Sequence, residues 1–322
     1  MNGRRKFLSG IAASSVAFAG NVTASSNDDK QLLHVNRPYS DSISTDHLNE
    51  IRAEAAQDAS GVEKSQLDAE PNINIESNGE IVSVVVTTTD EGILQQKIGI
   101  AHRSRDVARA QLKGEEYAEQ LKRNQKRKIK TSSVETTSDE WYTIEESTVS
   151  EYSNPEGDLD CLYKYSQNDD WFTYEERFAT VPGVVAYEHE DSTYGAMGGE
   201  VNHYWNSNYG ELRDWGPFGG TEGNVDQTIT LDRDGPEYSY GYSTKETNVD
   251  DLTVPRNDSA RFSVDYKESA KSTTSGFDPS SKGLNTDSAF SATYLNIVNK
   301  AEFKKLNCYT CDDTELEIRV SF

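Results

Sequence analysis

The three cysteines and five histidines are the side chains best suited to metal or redox chemistry. Cys308 and Cys311 form a CxxC pair, and Cys161 stands far from both. Three thiols can form at most one disulfide within the chain, either between Cys308 and Cys311 or between Cys161 and one of that pair. A tetrahedral zinc site would need a further donor, from His189 or His203. A structural disulfide is the favoured interpretation, and no cofactor is predicted.

The histidines lie among carboxylates, which raises the question of a metal or catalytic cluster. His189 is within the sequence EHED, and His203 follows in the next predicted strand. Alternate residues of a strand point to opposite faces, so the EHED carboxylates divide between two faces. No GxSxG nucleophile motif is present. A carboxylate pair for sugar hydrolysis is defined by separation in space, so that possibility stays open. The sequence nominates no catalytic residue, and a non-catalytic protein is favoured.

An aromatic segment rich in Asn and Gly is the most distinctive candidate for ligand binding. It contains Tyr204, Trp205, Tyr209 and Trp215. If exposed, these rings would form a platform for stacking on sugars. If buried, they would form the core of a sheet that has few aliphatic residues, and this second interpretation is favoured. Separately, Asn257 begins the sequence NDS, an acceptor site for N-glycosylation in a surface loop.

The N-terminus predicts export. Arg4 and Arg5 precede a short apolar run that is too short to span a bilayer as a helix. RRKFL resembles the motif of twin-arginine signals, and small residues before position 25 predict cleavage after Ala24. With the acidic chain that follows, this leader resembles exported proteins of haloarchaea. The resemblance implies passage through the twin-arginine translocase to a secreted or extracellular location, free or peripherally held at the cell surface. It implies nothing about activity.

The charge of the chain limits the partners that it can have. The net charge is −23, from 55 acidic and 32 basic residues. Phosphate binding needs the opposite sign, so nucleic acid is not a predicted partner. In molar salt the Debye length falls to about 3 Å, which removes most of the self-repulsion. The acidity therefore indicates adaptation to a saline environment, with a cationic partner as the alternative. No apolar run after the leader is long enough to predict a transmembrane segment.

Short alternating segments separated by polar turns predict a mainly β protein. The clearest is the last, in which Leu316, Ile318 and Val320 share one face and charged residues take the other. An antiparallel β-sandwich is expected for the C-terminal part, preceded by a small α+β unit with a basic helix. The predicted divisions are a signal peptide (1–24), a polar and partly disordered region (25–70), the α+β unit (71–130), a linker (131–139) and the β-sandwich domain (140–322).

These features support one principal functional hypothesis and two alternatives. The principal one is an exported, salt-adapted, non-catalytic binding or cell-surface protein, whose partner is a cell-surface glycan or protein. The first alternative is a secreted precursor cleaved near residues 122–138, where the basic sequence KRNQKRKIK meets the linker, to release a toxin-like C-terminal effector. The second is a secreted hydrolase acting on glycans.

Overall fold

A computed structural model gives the fold of most of the chain. The predicted linker and nearly all of the predicted leader lie outside the part that it describes. The described residues are 22–27, 30–57, 73–89, 92–127, 141–187, 192–206, 210–286, 295–308, 310–311 and 313–322.

Two large sheets confirm the prediction of a mainly β protein with a β-sandwich and a small helical part. The helices are α1 (Thr45–Gln57), α2 (Val107–Arg127) and the single turn α3 (Gly183–Ala186). None of the described helices is long and apolar enough to cross a membrane. The strands in the described residues are β1 (Val22–Asn27), β2 (Lys30–Asn36), β3 (Asn74–Ser77), β4 (Glu80–Thr88), β5 (Leu94–Ala101), β6 (Tyr142–Ser153), β7 (Gly157–Asn168), β8 (Trp171–Pro182), β9 (Tyr194–Trp205), β10 (Gly210–Gly216), β11 (Thr221–Leu231), β12 (Tyr238–Asp251), β13 (Ser259–Tyr266), β14 (Ser275–Phe277), β15 (Ser280–Asn285), β16 (Leu295–Lys305) and β17 (Thr314–Ser321).

The first sheet, sheet A, has the order β1-β2-β4-β5-β6-β7-β8-β15-β10, with β14 also paired to β8. The second, sheet B, has the order β11-β12-β13-β9-β16-β17-β3. Strand pairs are antiparallel except β5 with β6, which run parallel. A parallel pair cannot be joined by a tight turn, and the chain between these two strands includes α2.

Aromatic rings fill much of the space between the sheets. The ring of Tyr165 stacks against Phe172 at a centroid distance of 5.5 Å and against Phe322 at 5.7 Å. On β17, Leu316, Ile318 and Val320 are completely buried, as the alternation in the sequence predicts. Each aromatic side chain buries more apolar area than an aliphatic one, which suits a chain with only 34% hydrophobic residues.

Helix α1 joins the two sheets on the inner side of sheet A. Arg52 of this helix makes a two-bond ion pair with Glu145 of β6, at 2.8 and 3.1 Å, and both side chains are buried. The Asn49 side chain makes two hydrogen bonds with the backbone of Ile73, just before β3 of sheet B. Leu48 is fully buried in the main core. The sequence indicates a short helix at residues 46–56, and the buried face of the observed helix combines Leu48 and Ile51 with Arg52.

Helix α2 covers the opposite, outer face of sheet A, the face directed away from sheet B. Its Ala118 and Leu121 pack against Leu32 and Val85. A Cβ atom at Gly114 would lie 2.3 Å from the Ser83 hydroxyl oxygen, so glycine allows the helix to approach the sheet closely.

The N-terminal strands are part of both sheets. Eight residue pairs join β5 to β6, and four join β3 to β17. Two further ion pairs fasten α2 and the segment before it to the C-terminal part, Arg103 with Glu156 and Arg109 with Asp158. Residues 71–130 and 140–322 therefore share their hydrogen-bond ladders.

Cleavage of the chain between residues 128 and 140 is expected to give two fragments that remain together. The fragments would still share the β5–β6 and β3–β17 ladders and the Arg52–Glu145 ion pair. Limited trypsin digestion, followed by gel filtration in molar salt, should give one peak containing both fragments, whereas gel filtration in denaturant should give two. Separate peaks in native buffer would show that the two parts do not depend on each other.

Replacement of Arg109 by leucine is expected to lower the free energy of unfolding by about 3 kcal/mol, because the buried Asp158 carboxylate would lose its cationic partner and keep only the hydrogen bond from the Tyr187 hydroxyl. Lys113→Leu is the matched control on the same helix, since Lys113 pairs with the exposed Glu116. Its cost should be below about 1 kcal/mol. Urea unfolding of both variants in the same salt measures the difference, and equal losses would contradict this role for Arg109.

Candidate functional site

A groove runs over the outer face of sheet A, across β6, β7 and β8. Helix α2 forms one wall through Tyr117 and Gln120. The groove has a volume of about 630 Å³, within the usual range for ligand sites. Leu162 on its floor is half-exposed, although strand residues next to it are buried. Its lining residues are Lys97, Tyr117, Gln120, Glu146, Ser147, Thr148, Asp160, Leu162, Tyr163, Lys164, Glu175, Glu176, Arg177, Ala179 and Asp278.

A second hollow of about 750 Å³ adjoins the first and shares Arg177 and Ala179 with it. It lies between β14, β8 and the β11–β12 hairpin. At the junction, Arg177 makes an ion pair with Asp278 at 2.9 Å, and the Asp278 carboxylate also accepts hydrogen bonds from the backbone and hydroxyl of Ser243. The two hollows form one elongated feature, called the outer groove from here on.

The outer groove is closer to electrical neutrality than the protein as a whole. Several of its charges are already paired: Glu175 lies 3.9 Å from Lys164 and accepts a hydrogen bond from the Tyr238 hydroxyl at 2.8 Å. Lys97 donates a hydrogen bond to Ser150, and burial lowers the pKa of its ammonium group. The cationic side chains are Lys97, Lys164, Arg177 and Lys245, and the outward-facing carboxylates are Glu146, Asp160, Glu175, Asp226 and Asp278.

The structure separates the four aromatic candidates for ligand stacking. Trp205 is buried, and its indole N–H donates to Ser281. Trp215 is also buried and donates to Asp251. Tyr204 is partly exposed, on the outer side of sheet B, and Tyr209 lies outside the described residues. The two tryptophan rings belong to the core between the sheets and offer no surface for a sugar.

A wholly buried polar cluster occupies the centre of the sandwich. Glu176 accepts a hydrogen bond from the Asn299 amide at 2.5 Å, and its other oxygen lies 3.1 Å from His203 Nε2. His203 Nδ1 lies 2.9 Å from the Ser281 hydroxyl. The Asn299 amide also contacts the Cys161 sulfur at 3.2 Å. All five side chains have essentially no solvent exposure.

Burial sets the chemistry of this cluster. Burial raises the pKa of the Glu176 carboxyl and raises the pKa of the Cys161 thiol well above its usual value. A protonated thiol is a poor nucleophile and a poor metal ligand. Enclosed between two sheets, the cluster cannot meet a substrate in this conformation. Its hydrogen bonds offset part of the cost of burying these groups, although the Asn299 amide oxygen has no hydrogen-bond partner among the described residues.

The structure also shows where the predicted metal ligands lie. Cys308 and Cys311 are joined by a disulfide, which leaves Cys161 as a buried free thiol. His189 lies outside the described residues. Among the described residues, no group of three or more His, Cys, Asp or Glu side chains is arranged to hold a metal ion. Asn257 is exposed in a short turn before β13, while Arg4 and Arg5 are outside the described part.

The sequence did not predict the outer groove. Its floor is formed by alternate residues of two neighbouring strands, which are Asp160, Leu162 and Lys164 of β7 and Glu175 and Arg177 of β8. Such alternation is the ordinary pattern of a solvated sheet face. What makes it a groove is the position of α2 and of the β11–β12 hairpin on either side, which no local pattern contains.

Comparison with known proteins gives no family. No protein-family model and no curated protein matches the chain. Solved structures to which the chain is similar include a pore-forming protein (10% identity, TM-score 0.32, covering 56% of this chain and 89% of that one), the delta-toxin of Clostridium perfringens (11%, 0.33, 56% and 85%) and the NetB toxin of the same organism in its membrane-inserted form (8%, 0.27, 56% and 94%). These scores are too low to assign a fold family or a function.

Thiol labelling is expected to follow the burial of Cys161. In native buffer, iodoacetamide should modify no cysteine, because one thiol is enclosed and the other two are oxidised. Labelling in denaturant should add one group, and labelling after denaturation and reduction should add three. Intact mass spectrometry distinguishes these states. Modification in native buffer at the rate of a free thiol would contradict the enclosed cluster.

Proposed function

We propose that the protein is an exported, salt-adapted extracellular binding protein that holds an elongated polar ligand, a cell-surface glycan, in the outer groove. The observation that carries the proposal is the continuity of the two hollows across Arg177 and Ala179. The twin-arginine leader and the net charge of −23 support the extracellular, saline setting.

The lining of the outer groove favours a glycan over a strongly charged ligand. Its cations and carboxylates are nearly balanced, and several are paired with each other. A polycation or polyanion would therefore meet repulsion as well as attraction along the groove. Sugar hydroxyls both donate and accept hydrogen bonds, so alternate carboxylates, ammonium groups and amides suit them. Tyr117 and half-exposed Leu162 supply apolar area for the faces of the rings.

A binding role requires no change in the hydrogen bonds that the carboxylates of the outer groove already make. The Glu175 carboxylate accepts a hydrogen bond from Tyr238, and the Asp278 carboxylate is bound by Arg177 and Ser243. Fixed acceptors of this kind orient a ligand without rearrangement, which limits the entropy lost on binding. The hydrolase alternative would instead need one carboxyl free to give a proton and a second one positioned across the scissile bond.

The precursor alternative has a definite structural requirement. Release of residues 140–322 as a separate effector would need β6 to leave β5 and β17 to leave β3, in addition to cleavage of the chain. It would also expose the buried Glu145 without Arg52. Cleavage within the linker is compatible with a binding protein of two associated chains.

Filling the outer groove should weaken ligand binding. Ala179→Trp places a large ring at the junction of the two hollows. Ser263→Trp is the matched control, because Ser263 is a similarly half-buried small residue on β13 of sheet B. On a glycan array in molar salt, the first variant should bind at least about tenfold more weakly than the unmodified protein, a change of about 1.4 kcal/mol. The second should bind normally.

Three results would count against the proposal. They are no array binding by the unmodified protein, equal binding by Ala179→Trp, and equal losses in both tryptophan variants. Analysis of the array glycans after incubation separates binding from hydrolysis, because a hydrolase would shorten its ligand. Urea unfolding of both variants controls for loss of the fold.

A further inference from the structure

Most charged side chains that line the first hollow of the outer groove already have a partner in the protein. Glu146 accepts a hydrogen bond from the Gln95 amide at 2.9 Å. Glu176 belongs to the buried cluster between the sheets. Four more charges form two ion pairs, Lys164 with Glu175 and Arg177 with Asp278. The charged residues of this lining that remain are Lys97 and Asp160.

Lys97 and Asp160 carry opposite charges that the protein leaves unpaired. Among the described residues, Lys97 makes no ion pair, and its ammonium group donates to the Ser150 hydroxyl at 3.2 Å. The Asp160 carboxylate has no hydrogen-bond or ion-pair partner in the same part of the chain. Both side chains are half-buried. Burial lowers the pKa of Lys97, and the charge of Asp160 opposes this lowering. The two groups are therefore near each other without direct contact.

The strand register directs both groups to one small region of the groove. Lys97 of β5 lies opposite Thr148 of β6, and Asp160 of β7 lies opposite Ser150, two residues further along β6. Opposed side chains of neighbouring strands are about 5 Å apart. The ammonium group bonded to Ser150 and the carboxylate opposite Ser150 therefore face the same space. Leu162 follows Asp160 on the same face of β7, and its side chain is 50% exposed.

We propose that Lys97 and Asp160 together bind one pair of neighbouring hydroxyl groups on an uncharged sugar, whose ring lies on Leu162. This inference rests on the proposed function and names the chemistry that the outer groove selects. One hydroxyl oxygen accepts a hydrogen bond from the Lys97 ammonium group, and the neighbouring hydroxyl donates to the Asp160 carboxylate. An anionic substituent at this position would meet Asp160, and a cationic one would meet Lys97. The site therefore selects an unsubstituted diol.

Salt distinguishes a diol from a ligand that carries one charge of each sign. In molar salt the Debye length is about 3 Å, so the attraction that would bring a zwitterionic group to Lys97 and Asp160 is weakened. Hydrogen bonds to an uncharged diol act at short range and remain effective. The affinity for a neutral sugar should therefore stay nearly constant between half-molar and several-molar sodium chloride, whereas the affinity for a zwitterionic ligand should fall.

Calorimetric titration of the full mature protein with neutral malto-, cello-, manno- and galacto-oligosaccharides in molar sodium chloride tests the site. Lys97→Met and Asp160→Asn should each bind the strongest of these ligands at least about tenfold more weakly, because each loses a hydrogen bond to a charged group. Lys300→Met and Asp265→Asn are the matched controls, since they remove the same charges from the outer side of sheet B. Both controls should bind normally.

Two further measurements separate shared contact from a general effect on the fold. The double variant should lose less affinity than the product of the two single losses, because Lys97 and Asp160 hold the same hydroxyl pair. The O-methylated form of the strongest ligand should bind the unmodified protein at least about tenfold more weakly, since it has no hydroxyl to donate to Asp160. This second measurement needs no variant, and urea unfolding controls for the stability of the variants.

The outcomes distinguish this inference from the proposed function. Normal binding by Lys97→Met and Asp160→Asn, with weak binding by Ala179→Trp, would overturn the diol site and leave the groove as the glycan site. Normal binding by Ala179→Trp would overturn the proposed function itself. Binding of uronic or amino sugars in place of all neutral ones, or an affinity that falls steeply with salt, would assign Lys97 and Asp160 to a charged ligand and overturn the selection of an uncharged sugar.

Discussion

The enclosure of polar groups between two sheets is the constraint on which the rest of this structure depends. Tyrosine and phenylalanine rings and buried polar side chains share the space between the sheets with aliphatic residues. Such a core needs the hydroxyls, amides and carboxylates that it encloses to be partnered. The Glu176, His203 and Asn299 cluster and the Arg52–Glu145 pair are consequences of this need. They resemble catalytic or functional groupings in composition, and their position assigns them to the core.

The outer surface of the molecule follows a different rule. With a large excess of carboxylates, most of the surface repels anions and other copies of the same chain in dilute salt. The outer groove departs from this acidity, because its cationic and acidic side chains are nearly balanced. Salt screens the general field and leaves short-range hydrogen bonds in the groove effective.

The sequence predicted the β architecture and the periodic strands because a half-buried strand leaves its alternation in the residues themselves, as Leu316, Ile318 and Val320 illustrate. It did not predict that the N-terminal segments would join both sheets, since the pairing of β5 with β6 depends on contacts between residues about fifty positions apart. The candidate site was not predicted for a related reason. Lys164 and Arg177 look like any solvated positions until α2 and the hairpin are placed beside them. The sequence also left open whether Trp205 is exposed or buried, because a ring in a Gly- and Asn-rich segment can be either. In the structure its indole N–H donates a hydrogen bond to Ser281 in the core.

The position of β17 has a consequence for the order in which the molecule can form. This strand follows all the other described strands in sequence, yet it lies between β16 and β3, so the edge strand β3 has no partner in sheet B until β17 has been synthesised. During elongation, the segment around Ile75 must therefore wait with its backbone groups unpaired. Contacts of such long sequence separation slow folding, because a long loop must close before the contact forms. Pairing of β17 with β3 is therefore a late step in the assembly of sheet B.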